Sequence, residues 1–380
     1  MTAIGEVVRK ISSWNPSRHT SADPFLYVDL SSVDRHAKRI TGARPTSPAD
    51  APSRARQLLE QGDVVVSTVR PNLNAVAYVT HEFHGATAST GFTVLRPTDR
   101  IDGRYLFHWV QSPVFIQDMV AKATGASYPA VSDRVVKESP LPLPPIEEQR
   151  RIAAILDDID RVTSLASEVI ETLQDVPGVL LQRTVSRPDV EWLPLEEVTA
   201  QVIDCPHSTP KWTESGVRCL RTSNLTRGGW DWTDSRFVSE ADHLARSRRG
   251  ELAEGDIVLS REGTVGVAAI VPSDLRASMG QRLVQVKPSR RLSGSLLMHY
   301  LLFALHPARI SGLMVGSTSR HLNVKDLRSL RVPVPALKAQ EAFEAAVHTI
   351  DNELVTARRR LDEAVGLAKS IQARAFSGRL

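Results

Sequence analysis

The sequence predicts an α+β chain of two pseudo-repeated domains separated by two long helices that pair as an antiparallel coiled coil, and three observations predict it. The first is an internal duplication. Leu141 to Gln149 reads LPLPPIEEQ; 191 positions on, Val332 to Gln340 reads VPVPALKAQ, which lays Pro142, Pro144 and Gln149 on Pro333, Pro335 and Gln340. The same offset carries Phe107-His108-Trp109 onto Met298-His299-Tyr300, Leu95-Arg96-Pro97 onto Val286-Lys287-Pro288, and Asp160 onto Asp351. GDVV at Gly62 matches GDIV at Gly255 at an offset of 193. A period of half the 380 residues is far longer than that of solenoids or propellers, so a whole domain with its connector was duplicated. The second observation is alternation of short β-prone runs with turn residues in each half. The third is a heptad pattern closing each half.

Taken in order, the first domain spans residues 1–140. Val64-Val65-Val66, Ala75 to Val79 and Phe92 to Leu95 read as strands separated by Gly, Pro and Asn, and Gly103 to Ala123 reads as helix. Residues 141–187 form the first connector. Pro144-Pro145 stops what precedes it, and Glu147 and Glu148 suit the positive end of a helix. Ile152, Ile159, Ala166, Leu173 and Leu180 then recur every seven residues, with Ile155, Val162, Val169 and Val176 as a second line. Pro177-Gly178 predicts a kink or break.

The second domain, residues 188–331, repeats the plan, with strands at Asp256 to Ser260, Val265 to Val271 and Leu283 to Val286 and a helix over Ser295 to Leu305. The second connector, 332–380, carries Phe343, Ile350, Ala357, Ala364 and Ile371 in one line and Val347, Leu354, Leu361 and Ala368 in the other. Two such seams in one chain have each other to bury against. A helix that only caps its own domain is the alternative, and it needs fewer heptad positions. A helix of about 30 residues would span on the order of 45 Å, about one turn of B-DNA or slightly more between half-sites.

Composition bounds the function. A hydrophobic content of 42% and a charged content of 24% are those of a globular protein. Of the 47 basic residues, 38 are Arg and 9 are Lys. Arg grips phosphates and guanine edges well, and a biased genome base composition explains the count equally. Two cysteines, Cys205 and Cys219, exclude a disulfide framework. The longest apolar stretch, Leu296 to Leu305, is too short to cross a bilayer, and no charged-then-apolar leader opens the chain, so the expected location is cytoplasmic, away from any membrane. The sequence has no phosphate loop, no glycine-rich cofactor fingerprint, no HExxH and no zinc-spaced cysteines, so no cofactor, no metal and no catalysis are expected. Cys205 beside His207 reads as a turn rather than a metal pair.

LPLPPIEEQRRIAAILDDID (Leu141 to Asp160) closely resembles the segment that follows each target recognition domain in the DNA-specificity subunits of type I restriction-modification systems. STVRPNLNAVAYV from Ser67, ASTGFTVLRP from Ala88, DCPHSTPKW from Asp204, GDIVLSREGTVG from Gly255 and RAFSGRL from Arg374 extend the resemblance over the whole chain. Ala336 departs from Pro145, and Lys338-Ala339 from Glu147-Glu148. The resemblance implies a non-catalytic subunit. Its two target recognition domains each read half of a split, asymmetric site in double-stranded DNA, its coiled coil sets the spacer, and its helices dock two methyltransferase subunits, with a restriction subunit able to join. A scaffold whose duplicated domains bind only proteins is the alternative.

Candidate DNA-reading residues are polar and loop-placed. In the first domain these are Thr68, Arg70, Asn72 and Asn74 on the inter-strand turn, and Ser127 and Tyr128 in the loop before the elbow. In the second they are Arg261 and Thr264 on the equivalent turn, with Ser317, Ser319, Arg320, His321 and Asn323 before the elbow. His207, Ser208, Thr209 and Lys211 of the DCPHSTPKW loop and Arg221 and Asn224 complete the set. Arg and Lys match guanine, Asn matches adenine, and hydroxyls hold phosphates. For any one of them a solvated or turn-capping role competes. Arg18, Arg35, Arg39, Arg44, Arg54 and Arg56, and separately Arg246, Arg248 and Arg249, form basic stretches that suit a phosphate track or a charged loop.

Overall fold

The structure is a computed structural model that describes residues 1–18, 23–310, 314–315 and 321–378. It divides into two compact units, Met1–Glu168 with Arg358–Leu380, and Val169–Ala357. In the first, the antiparallel order Val8–Arg9, Phe92–Pro97, Val64–Ser67, Val76–Tyr78 makes one sheet. A second sheet runs Arg44–Thr46, Phe25–Val28, Thr87–Ser89, Ala55–Leu58, with its central pair parallel. The uninterrupted Val64-Val65-Val66 run follows from position: Val64 and Val66 pack with the helical core around Tyr105 and Leu106, while Val65 packs with Val28, Leu59 and Ala88. Both faces of that strand are buried, so nothing polar is required on either.

The second unit repeats this arrangement. One sheet orders Thr199–Asp204, Leu283–Pro288, Ile257–Ser260 and Ala268–Ile270, and the other Trp212–Thr213, Phe237–Val238, Val217–Leu220 and Ala277–Met279. Ile257 and Leu259 face one core and Val258 the other. The helix expected over Gly103 to Ala123 is two helices, Gly103–Trp109 and Pro113–Lys122. The first ends with Val110 as its C-cap; Ser112 caps the second by accepting the Phe115 N–H at 3.2 Å, and Pro113 starts the second because its missing N–H costs nothing there.

Each connector begins at an elbow locked by one glutamine. Gln149 is 1% exposed; its Oε1 accepts the Asp102 N–H at 2.9 Å, and its Nε2 donates to the carbonyls of Pro144 at 2.8 Å and Arg100 at 3.2 Å. Gln340, 5% exposed, makes the same three bonds with Ser293 at 2.8 Å, Pro335 at 2.8 Å and Arg291 at 3.0 Å. The repeated sequence offset is therefore a repeated hydrogen-bond set.

The connector helices are Ile146–Val185 and Leu337–Phe376, 40 residues each, so each is about 60 Å long rather than 45 Å. Pro177 neither stops nor splits the first one: it sits inside the helix with its ring buried. Its cost is an absent N–H and the crowding of its ring against the carbonyl one turn back; burial of that ring works against this cost. In the first unit Ile152, Ala153, Leu156 and Ile159 share a core with Ile371, Ala375 and Phe376. In the second, Leu180, Leu181 and Val185 share one with Phe343 and Val347. The start of one helix thus meets the end of the other in each unit, which is antiparallel pairing.

The second seam line of the first helix is different from the expected one. Val162 is 54% and Val169 51% exposed, whereas Leu156 is 4% exposed, Thr163 and Ile170 are half-buried and Pro177 is buried. The line lies four residues after the first, not three, and the 191-residue offset places Leu156 on Val347 and Pro177 on Ala368. A left-handed pairing accepts either spacing, and the domain core already claims the Leu156 side.

Candidate nucleic-acid interface

In the first unit two loops distant in sequence become one surface. Thr68 gives both its N–H, at 3.0 Å, and its hydroxyl, at 2.8 Å, to the Gly91 carbonyl, and its own carbonyl accepts from Val131 at 2.8 Å. Val69 bridges Ala130, and the Arg70 N–H donates to the Pro129 carbonyl at 2.7 Å. The turn Thr68 to Asn74 is thereby zipped to the loop Thr124 to Val131. Arg70 and Asn74 both hold left-handed backbone, at φ 49° and 44°. Asn tolerates that region; Arg does so at a cost that the surrounding bonds must meet. The Arg70 guanidinium lies 4.9 Å from the centre of the exposed Tyr128 ring, a cation–π contact at the loop surface. Asn72 and Ser127 are exposed beside it, while Thr68 is buried and serves the zipper.

The second unit makes the same zipper with other residues. The Arg261 N–H donates to Arg282 at 3.0 Å, its carbonyl accepts from Leu322 at 2.8 Å, and Glu262 bridges His321. Arg261 therefore occupies the place of Thr68, and Gly263, at φ 78°, takes that of Arg70. The Arg261 side chain is 13% exposed and turns to Asp204, with Nε 3.2 Å from Oδ1 in an ion contact that is not aligned as a hydrogen bond. His207 Nε2 lies 3.2 Å from the other oxygen of Asp204, and its carbonyl accepts from Gln281 at 2.7 Å. Asp204 thus joins His207 to Arg261. Thr264 and Lys211 are exposed, and His321 is half-buried on its bridge.

Three candidates have structural duties. Asn224 is 1% exposed and spends its amide on the Arg221 N–H at 3.0 Å and the carbonyls of Asp231 and Asp234. Arg221 pairs with Asp234 at 2.6 Å. The Ser208 carbonyl accepts from Arg246 at 2.9 Å. Arg246, expected on a solvated basic stretch, is 6% exposed and also pairs with Asp242 at 2.9 Å, so it fastens the DCPHSTPKW loop from within. Ser317, Ser319 and Arg320 lie outside the described residues.

Between the helix Gly103–Trp109 and the first connector helix the first unit holds a charge cluster that sequence reading missed. Asp157 accepts from His108 Nε2 at 2.7 Å and from Arg104 Nε at 3.0 Å. Burial lifts its carboxyl, but the bonds from His108 and Arg104 outweigh this and leave it at about 2. Burial raises the neighbouring Asp160. The second unit has Ser295 and His348 at the repeat positions of Arg104 and Asp157, so the cluster belongs to one unit alone. Among the described residues no group of three or more His, Cys, Asp or Glu could hold a metal ion, and no helix is long and apolar enough to cross a membrane.

The sequence pattern of the type I restriction modification DNA specificity domain matches residues 54–175 and again 229–363, one match for each zippered unit. The chain belongs to that family. Within a type I restriction-modification system the family's role is DNA-sequence specificity. The MjaVIII specificity subunit of Methanocaldococcus jannaschii is 25% identical over 308 residues, covering 75% of this chain and 72% of that protein. The EcoKI specificity subunit of Escherichia coli K12 is 24% identical over 361 residues, covering 85% and 76%. A solved chain from work on complex assembly and conformational transition of the type I system superposes with a TM-score of 0.66 at 25% identity, covering 100% of this chain and 97% of the other. The solved S subunit of a type I restriction-modification system from M. genitalium shares the fold with a TM-score of 0.55 at 14% identity, covering 99% of this chain and 95% of that one.

Proposed function

We propose that this specificity chain reads a split, asymmetric site in double-stranded DNA, one tract per unit, with no catalysis of its own, and that it positions two methyltransferase subunits, with a restriction subunit able to join. What carries the reading is that the frame is duplicated down to single hydrogen bonds while the loops it presents differ: Thr68 and Arg70 in one unit, Arg261 and Gly263 in the other. Identical frames with different surfaces suit two different base tracts. The names of its relatives, as type I restriction enzyme specificity subunits, support the same role. Arg70, Asn72, Ser127 and Tyr128 are assigned to the first tract. Arg261, Thr264, His321, His207 and Lys211 are assigned to the second, with Arg261 acting together with Asp204.

The decisive experiment measures methylation of a library of split sites by the chain assembled with its methyltransferase subunits. Arg70→Ala relaxes discrimination in one tract only, by roughly 1 to 3 kcal/mol at the contacted base pair. A heptad inserted after Ile159 lengthens the helix by about 10 Å and shifts the preferred spacer by some three base pairs. A single continuous target, or indifference to spacer length, refutes the proposal. Methyl transfer by the isolated chain refutes its non-catalytic part.

A further inference from the structure

The first unit carries a structure beside its reading loops that the second unit has only in shortened form. Val33–Asp34 pairs with Arg39–Ile40, and the turn between them is Arg35-His36-Ala37-Lys38. Three bonds fix its shape. The Asp34 carboxylate accepts the N–H groups of His36 at 2.8 Å and Ala37 at 3.0 Å, and Lys38, at φ 55°, donates its Nζ to the Asn74 carbonyl at 2.6 Å. Lys38 is thereby turned inward and half-buried as a tether to the Thr68 to Asn74 turn, while Arg35 and His36 stay exposed.

Between the tethered hairpin and the loops lies a groove of about 450 Å³. Arg35 and His36 line it together with Arg70 and Tyr128; Ser31, Asp34 and Ser67 add polar groups, and the rest of the lining, Leu30, Val33, Val69, Leu73 and Ala75, is apolar. A phosphate placed there would meet carbon over much of the lining and a like charge at Asp34, which is costly. A base edge, with polar atoms at its rim and a thymine methyl or ring carbon toward the apolar lining, satisfies both parts. In the second unit the corresponding hairpin, Leu225–Thr226 with Gly229–Trp230, turns on Arg227-Gly228 alone, and the Gly228 N–H is bound to the Ala268 carbonyl at 2.9 Å. That turn is two residues shorter and held down on a strand.

We propose that Arg35 and His36 are specificity-determining residues of the first unit, reading a base edge in the groove they form with Arg70 and Tyr128, and that the second unit reads its tract without such a hairpin. The inference rests on the assignment of the first unit's loops to one DNA tract. Its turn is ordered before DNA arrives, so little ordering is left to be done on binding.

The test uses the full chain assembled with its methyltransferase subunits, comparing Arg35→Ala, His36→Ala, Arg70→Ala and Arg227→Ala on a split-site library at two salt concentrations. Both residues are exposed, so folding is expected to survive. Arg35→Ala and His36→Ala should each relax discrimination roughly ten- to a hundredfold at one or two base pairs, in the tract that Arg70→Ala affects, with the salt slope little changed. Arg227→Ala should leave base preference in both tracts as it was. Uniform weakening on every sequence with a shallower salt slope would make the hairpin a phosphate contact and overturn the proposal, as would unchanged discrimination. If Arg70→Ala relaxes one tract and the hairpin variants relax none, only the hairpin assignment fails. If Arg70→Ala also relaxes none, the assignment of the loops fails with it.

Discussion

The two units share a frame and differ in what they attach to it, and the difference separates what holds such a domain together from what it presents. In both, a buried acid beside the first strand anchors a base on its neighbour: Asp63 with Arg96 at 2.8 Å, and Asp256 with Lys287 at 2.9 Å. In both, one glutamine closes the elbow and one backbone zipper joins the turn to the loop before it. The loops diverge, and so does the charge cluster on the connector, where Asp157, His108 and Arg104 face His348, His299 and Ser295 at repeat positions. Conserved backbone bonding needs no particular side chain at the loop tips, so substitutions there leave the frame standing.

Four experiments sharpen that comparison, the largest effect first. Asp63→Asn leaves Arg96, which is 5% exposed, with only the partly exposed Glu60 carboxylate and the Leu58 carbonyl as partners, and should destabilise the first unit by up to about 3 to 5 kcal/mol in chemical denaturation. Asp256→Asn should cost less, because the Lys287 side chain is 22% exposed and its ammonium can turn to water. Equal losses would show that the two anchors are interchangeable. Leu156→Ala should cost about 2 to 5 kcal/mol, whereas Val169→Ala stays within about 0.5 kcal/mol; the reverse order in thermal unfolding would restore the three-residue seam spacing.

Gln149→Leu and Gln340→Leu each strand one buried N–H and two carbonyls and should each cost about 2 to 3 kcal/mol, read as loss of stability in the corresponding unit. A neutral result for one of them would show that its elbow is held by other contacts. The smallest effect is one of pH. Asp157 is depressed from 3.8 to about 2, so its contribution is present above pH 4 and is lost as pH falls through that interval. The first unit should lose stability between those values, and Asp157→Asn should remove that part of the acid dependence. An unchanged acid profile in the variant would show that the carboxylate is not held by His108 and Arg104.

Much of this was legible in the residues. The 191-residue offset, the β-prone runs with their turns and the Pro-rich elbows each correspond to an observed element, because strand alternation, turn chemistry and helix starts are local in cause. The offset itself contained the correct second seam line, since it pairs Leu156 with Val347, but heptad counting on one helix alone does not choose between spacings of three and four. The site was less legible. Arg70 and Tyr128 stood out as polar loop residues, yet their contact depends on a zipper between segments some 60 residues apart, and nothing in either segment announces its partner. Asn224 and Arg246 looked like surface residues and are buried fasteners.

The sequence by itself determined the duplication, the fold class and the family, because repeats, periodicity and motif spacing survive as patterns along the chain. Only the tertiary structure decided that the Arg261 side chain turns to Asp204, that Pro177 rides inside an unbroken helix, and that the Arg35 to Lys38 turn is tied to Asn74. Each of those depends on contacts and burial between residues far apart in the chain, and such pairings are chosen by the whole packed unit rather than by any local run of side chains.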